Sequence, residues 1–352
     1  MATIFDIAKK AGVSITTVSR ALNGFSDVNE NTRRKVLKIA EELNYYPNAA
    51  ARSLQGKKTN TIAFAPNLGA GVEANSFLKE FMGMLALACL KHDLSLLVAA
   101  TTSRSQLLEL FRELAGSGRV DGLIVADVEP EDERINLLVK LGLPFIAFGR
   151  TRDYSSLNYP FIDVDGEAGI KEMVSHLYRQ GHRRIAYISN PFVASCMFHR
   201  YEGYIKGMRE NNLELSNDLI CTDLDDEASL QKAIYEFLTR PVDQRPTAFV
   251  TSHDRLALTV MNTIKENGLE VGRAPGQIAV TGFDDLPFAA YLPTPLTTIR
   301  QPIATTCTVL LELLVNLLNK DGETPEMNVS GLTRVGPQQY LLKPEIISRE
   351  TA

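Results

Sequence analysis

Apolar positions in the first sixty residues recur at helical spacing, in short blocks broken by glycine, serine and proline. Ile7, Ala8 and Ala11 fall on one face of a helix capped by Thr3, with Asp6 in the first turn where an acid complements the helix dipole. Gly12 supplies the turn that ends it. Val13 then packs inward and Ser14 caps a second helix reaching about Leu22. Val18 and Leu22, spaced i,i+4, point to the core, while Ile15, Thr16, Ser19 and Arg20 point out. Asn29 and Thr32 open a third helix with a buried stripe of Val36, Ala40 and Leu43, and Pro47 forbids its continuation. Asn48 can cap one more helix over residues 49–55, stopped by Gly56. Its seven residues fall short of the ~12–15 that an isolated helix needs, so this segment is expected to fold only against something else.

From residue 61 the pattern changes to short continuous apolar runs alternating with amphipathic helical stretches. Runs at 61–66, 95–101, 120–127 and 144–149 form one series, and runs at 161–164, 184–189, 219–221, 247–251 and 277–282 form a second. Continuous strands joined by helical crossovers imply parallel sheets covered on both faces, and two series imply two lobes with a cleft between them. Ligands of such sheets sit beyond the carboxyl ends of the strands. The polar residues expected there are Asn67, Thr101, Asp127, Arg150, His253, Asp254, Asp284 and Asp285, with Arg200 opening a helix after the aromatic stretch of Phe192 and Phe198. Arg and Asp forks beside an aromatic face suit a hydroxyl-rich ligand such as a sugar. Phe77, Phe81, Phe198 and Tyr291 could stack on it, although core packing competes as the role of each.

At 352 residues the chain predicts two or three domains, and at 45% hydrophobic it can build a large core. No apolar run is long enough to span a bilayer and the first residues lack a signal-peptide core, so a cytoplasmic protein is expected. The four cysteines are widely spaced and are expected as free thiols, with no metal site. The net charge of −5 conceals an asymmetry: residues 1–58 hold ten Lys/Arg against five Asp/Glu, and the remainder holds 27 against 37. Positive charge is therefore concentrated on the helical segment, as phosphate binding requires, although a solvated basic face would look the same. The exposed side of the second helix distinguishes them. It offers small hydroxyls for phosphates, an Arg that can fork onto guanine and an apolar group for a thymine methyl, in a helix-turn-helix spacing. Leu54, apolar within a basic and otherwise small-residue stretch, could wedge into a minor groove or pack on the next domain. Gly69 to Ala74 fits a dinucleotide fingerprint, but the next strand lacks the acid that would hold a ribose. No Walker loop, zinc spacing or nucleophile elbow occurs, so no cofactor and no enzyme activity are expected.

The strings Thr3-Ile-Phe-Asp-Ile-Ala, Ala11-Gly-Val-Ser, Thr17-Val-Ser-Arg, Leu43-Asn-Tyr-Tyr-Pro-Asn and Ala51-Arg-Ser-Leu resemble the headpiece and hinge helix of the lac repressor family (LacI/GalR-type) of transcription regulators. The body resembles the same family through Arg119-Val-Asp-Gly-Leu-Ile, Gly181-His-Arg-Arg-Ile, Arg200-Tyr-Glu-Gly-Tyr, Gly282-Phe-Asp-Asp and Pro295-Leu-Thr-Thr-Ile-Arg-Gln-Pro. The resemblance implies base readout by Ile15, Thr16 and Arg20, phosphate contacts around Ser14, Thr17, Ser19 and Asn23, and minor-groove insertion of Leu54 beside Ala51. Thr3, Asn29, Tyr45, Asn48 and Arg52 complete the expected DNA-contacting set. It further implies a periplasmic-binding-protein-like pair of lobes in which Arg200 and Asp284 match effector positions and Phe77 lies near another. Asp254 matches a common family Asp, whereas His253 departs from the usual Asn; Arg150 and Phe198 join the expected effector set.

The expected fold class is an all-α helix-turn-helix headpiece (residues 1–47), a hinge helix and linker (48–60), and an α/β two-lobed effector domain with parallel sheets (61–352). The first lobe is expected over about 61–161 and 292–322, the second over about 162–291 and 323–352. The expected function is a homodimeric repressor of carbohydrate genes, bound to a near-palindromic DNA operator and controlled by a sugar. A purine-responsive regulator, a soluble sugar-binding protein without a DNA role and an enzyme on the same fold are the competing readings. No tetramerising heptad follows residue 343, which favours a dimer.

Overall fold

The computed structural model describes residues 2–22, 25–45, 58–66, 76–101, 103–154, 158–223, 226–319 and 327–352. Two compact units emerge, residues 1–59 and 60–352.

The first unit holds α1 (Ile4–Ala11), α2 (Ile15–Leu22) and α3 (Glu30–Glu42). The Thr3 backbone N–H and hydroxyl both donate to Asp6 Oδ2 at 2.8 Å, fixing the start of α1. Gly12 ends it at φ 70°, a left-handed conformation that costs a residue with a Cβ. The Ser14 hydroxyl accepts from the Thr17 backbone N–H at 3.0 Å and caps α2. Asn29 caps α3 by accepting from Asn31 N–H at 2.9 Å. Ile7, Ala11, Val18, Ala21, Val36 and Ile39 close a small core, with Leu22, Leu43 and Tyr45 packed at its margin.

The second unit contains two parallel sheets. The first joins β1 (Thr61–Phe64), β2 (Ser95–Val98), β3 (Gly122–Val125), β4 (Phe145–Phe148), β5 (Phe161–Val164), β11 (Leu332–Gly336) and β12 (Gln339–Leu342) in the order β11-β12-β5-β4-β3-β1-β2. Only the β11–β12 hairpin is antiparallel. Successive strand residues feed opposite faces. Ile62, Phe64, Ile124 and Ile146 meet the helices Ser76–Lys91 (α4) and Ile303–Asn319 (α11). Ala63, Leu123 and Val125 meet Arg104–Ser117 (α5) and Glu133–Leu141 (α6).

The second sheet runs β7-β6-β8-β9, from β6 (Ile185–Ile188), β7 (Ile220–Cys221), β8 (Ala248–Thr251) and β9 (Ala279–Thr281), all parallel. One face carries α7 (Gly166–Arg179) and α8 (Ser195–Glu210), the other α9 (Glu227–Leu238) and α10 (Asp254–Glu266). A Cβ on Gly203 would run into the Glu167 backbone carbonyl, so its glycine lets α8 lie hard against α7. A two-stranded ribbon, β10 (Thr298–Arg300) with β13 (Glu345–Ile347), completes the unit.

The chain crosses between lobes after β5, after β10 and after β12, which corrects the expected division. Residues 162–164 and 332–342, expected in the second lobe, hydrogen-bond into the first sheet. Leu296 and Thr297, expected in the first lobe, belong to the second: Leu296 packs in its core and Thr297 bridges to Thr281. An apolar strand pattern specifies burial on both faces but not which sheet provides it. No described helix is long and apolar enough to cross a membrane.

Candidate functional site

In the first unit, α2 presents Ser14, Ile15 and Thr16 to solvent, with Thr17, Ser19 and Arg20 half-buried. Ile15 is 40% exposed, unusual for its type and suited to an apolar contact. Ser14 and Thr17 share a hydroxyl–hydroxyl hydrogen bond of 2.8 Å at the start of this helix. Arg20 pairs with Asp27 (Nη2–Oδ2 2.5 Å) and lies over the Phe25 ring. Thr3 and Asn29 are exposed caps of α1 and α3, and Tyr45 packs against the helical core. Asn23, Asn48, Ala51, Arg52 and Leu54, with the expected hinge helix, lie outside the described residues.

In the second unit, a cavity of about 680 Å³ is lined from both lobes. Asp127, Arg150, Asn190, His253 and Asp284, which follow β3, β4, β6, β8 and β9, all line it. This is the carboxyl-end geometry of open α/β sheets. Phe77 and Phe148 form one wall, their rings stacked 6.0 Å apart.

Much of the remaining lining is charged. Arg200 donates from Nη1 to the Ser252 carbonyl at 2.5 Å, holds Asp284 at 3.5 Å through Nη2, and stacks on Phe283. Arg150 pairs with Asp163 at 3.1 Å and approaches Asp165 at 3.9 Å. Both guanidiniums are buried, and the Nε of each has no hydrogen-bond partner among the described residues. Burial pushes the Asp163 carboxyl up, although Arg150 and Arg200 oppose it, and burial likewise raises Asp284 against the pull of Arg200. Asp284 also takes a hydrogen bond from Gln301 at 2.6 Å and sits at φ 116°. That backbone conformation costs about 1–3 kcal/mol and is found mostly at functional sites.

Two histidines line the cavity as neutral rings. Burial holds His199 down to about 4, with Arg150 adding to it. Burial, then Arg200 and Arg255, hold His253 down to about 3. His253 Nδ1 accepts from Leu256 N–H at 3.3 Å and caps α10, so Nε2 carries the proton and donates to Asn190 Oδ1 at 2.6 Å. His253 thus caps α10 and bridges it to the strand-end Asn190.

Two expected effector residues do not line the cavity. Asp254 is fully buried and turns the other way, accepting from Leu286 N–H at 2.7 Å and the Thr298 hydroxyl at 2.5 Å. Phe198 lies under Arg152, 4.0 Å from guanidinium to ring, and against Phe192. Two positions from Arg200 on α8, it points to nearly the opposite side of the helix. Residues overlooked in the sequence are Asp163, Asn190, His199 and Gln301. Asn190 obeys the strand-end rule, and Asp163 is marked by being an acid inside an apolar strand.

A helical unit with an exposed polar recognition helix and a two-lobed unit with a strand-end cavity in one chain define a DNA-binding transcription regulator with a ligand-sensing body. A profile of bacterial regulatory proteins of the lacI family matches residues 3–48, and a periplasmic binding protein-like domain matches residues 174–349. The chain is 31% identical to the HTH-type transcriptional repressor PurR of Aliivibrio fischeri over 353 aligned positions, covering 100% of this chain and 98% of that protein. It superposes on the lac repressor dimer bound to operator and the anti-inducer ONPF with a TM-score of 0.81 and 25% identity, covering 99% and 98% of the two chains. The transcriptional regulator CelR–cellobiose complex gives a TM-score of 0.72 with 26% identity and full coverage of both chains. The chain belongs to the lacI family of bacterial regulatory proteins.

Proposed function

We propose that this regulator is a cytoplasmic, homodimeric repressor of carbohydrate genes whose hold on a near-palindromic operator is set by a neutral sugar in the interlobe cavity. The observation that carries the sugar assignment is the pairing of two buried ion pairs, Arg200–Asp284 and Arg150–Asp163, with the Phe77–Phe148 wall. Forked donors and acceptors bind adjacent hydroxyls, and an aromatic wall takes the apolar face of a pyranose. Five acids (Asp127, Asp163, Asp226, Glu227, Asp284) against three arginines (Arg150, Arg200, Arg255) disfavour an anionic ligand. The CelR complex supports the same ligand class through the cellobiose it contains.

Two-fold symmetry would bring two recognition helices to two half-sites, with Ile15, Thr16 and Arg20 at the bases and Ser14, Thr17, Ser19 and Asn23 at phosphates. Asn48, Ala51, Arg52 and Leu54 would form the second, minor-groove contact. The ligand would act by favouring one lobe arrangement and so shifting the DNA-competent population. Calorimetric titration of the full-length protein with neutral mono- and disaccharides, sugar phosphates and purine bases tests this. Saturable binding of a neutral sugar is expected; binding confined to a purine base or a sugar phosphate would replace the assignment.

A further inference from the structure

Arg20 is the one arginine on α2, and two neighbours, Asp27 and Phe25, fix where its guanidinium can go. Its Nε donates to Asp27 Oδ1 at 3.1 Å while Nη2 meets Asp27 Oδ2 at 2.5 Å, a side-on, two-point pair. The Phe25 ring lies 4.7 Å beneath it. Phe25 is itself tied at both ends: its N–H donates to the Arg20 carbonyl at 3.1 Å, and its carbonyl accepts from Arg33 Nη2 on α3. Residues 25–27 are thus anchored to α3 and deliver both a ring and a carboxylate to one side chain.

A guanidinium carries five N–H groups. The side-on pair occupies the Nε hydrogen and one Nη2 hydrogen, and leaves the outer edge, one hydrogen from each Nη, unengaged by Asp27. That outer edge is the one that matches guanine O6 and N7 in the major groove. The pair adds little to the fold, because its side chains are 43% and 56% exposed and such surface pairs are weak. An acid beside a DNA-facing helix also repels phosphate. Its benefit has to come through the arginine it orients.

We infer that Asp27 is a positioning residue for base readout: with Phe25 it holds Arg20 side-on, so that the arginine's outer edge meets a guanine without first losing rotamer freedom. This rests on the assignment of Arg20 to a base. The test uses full-length protein and duplexes selected by it from a randomised pool, with each base pair then substituted in turn. Wild type, Arg20→Ala and Asp27→Ala are compared by competition binding, together with random-sequence DNA and a thermal melt. Asp27→Ala is expected to lower discrimination at the Arg20-dependent base pair by about 2- to 12-fold, the freedom of one rotamer-rich side chain. Binding to random DNA should be unchanged or tighter, and the melting midpoint unchanged. Discrimination equal to wild type at that base pair, with Arg20→Ala losing it, overturns the positioning role alone. Equal tightening on selected and random DNA also overturns it, since Asp27 would then act only as a repelling charge. If Arg20→Ala changes preference at no base pair, the base assignment fails and the positioning role with it.

Discussion

Asp254 stands at the mouth of a strand, beside cavity residues, yet its carboxylate serves the loop after β9. Asp254→Ala removes the acceptor of two buried donors, Leu286 N–H and the Thr298 hydroxyl. Each buried donor left without a partner costs about 1–3 kcal/mol. Burial and the neighbouring Asp284 push the Asp254 carboxyl well up, so its loss relieves part of that penalty. The net destabilisation is therefore about 2–4 kcal/mol. At about 2–4 °C per kcal/mol for a domain of this class, the melting midpoint should fall by roughly 4–16 °C. Asp254→Asn keeps one acceptor and should lose less. The assay is a thermal melt paired with sugar titration of the folded variants at low temperature, where the dissociation constant should be unchanged. A variant that melts like wild type but no longer binds the sugar would refute the reasoning and return Asp254 to the ligand.

Arg200→Ala should abolish the sugar-induced rise in melting midpoint, because Asp284 and the Ser252 carbonyl both lose their partner; differential scanning fluorimetry with saturating sugar checks this. Neutral sugars should bind at least tenfold tighter than their phosphates in the acid-rich cavity, about 1.4 kcal/mol by calorimetry. His199 is held down to about 4, so its contribution to stability is present above its unfolded value and lost as pH falls from about 6.5 to about 4. Between pH 7.5 and pH 5 wild type should lose about 2 kcal/mol relative to His199→Gln in urea titrations of both proteins. Gly203→Ala should destabilise the second unit by at least about 1–3 kcal/mol, since its new Cβ meets the Glu167 backbone and not a movable side chain; chemical denaturation measures it.

The helical unit was readable because local chemistry decides it. Caps at Thr3, Ser14 and Asn29, the left-handed Gly12 and the i,i+4 pairs are all set by residues a few positions apart. The parallel sheets were readable from apolar runs, but their membership was not. Phe161–Val164 reads alike in either lobe, and Leu332–Gly336 is a largely exposed edge strand with no apolar run to announce it. Cavity residues at strand ends, Arg150, His253 and Asp284, were legible from topology, whereas Arg200, expected to open a helix, stands inside α8, which already begins at Ser195. Asp163 was not, since it stands inside a strand, where an acid is expected only if something buried pairs it. Phe198 and Asp254, expected at the effector, do not line the cavity, because direction, and not sequence position, separates them from it. On α8 the turn of the helix sends Phe198 away from the face that carries Arg200. Asp254 follows the cavity-lining cap His253 directly, yet its side chain is captured by Thr298 and the Leu286 N–H.

The most direct measurement is the affinity of the full-length protein for its selected duplex, and for a scrambled duplex, with and without a saturating sugar that the titration identifies. A selective, salt-sensitive interaction is expected, whose affinity the sugar changes by about 5- to 150-fold, the range of a coupling between two sites. An affinity equal on both duplexes, or identical with and without bound sugar, would contradict it.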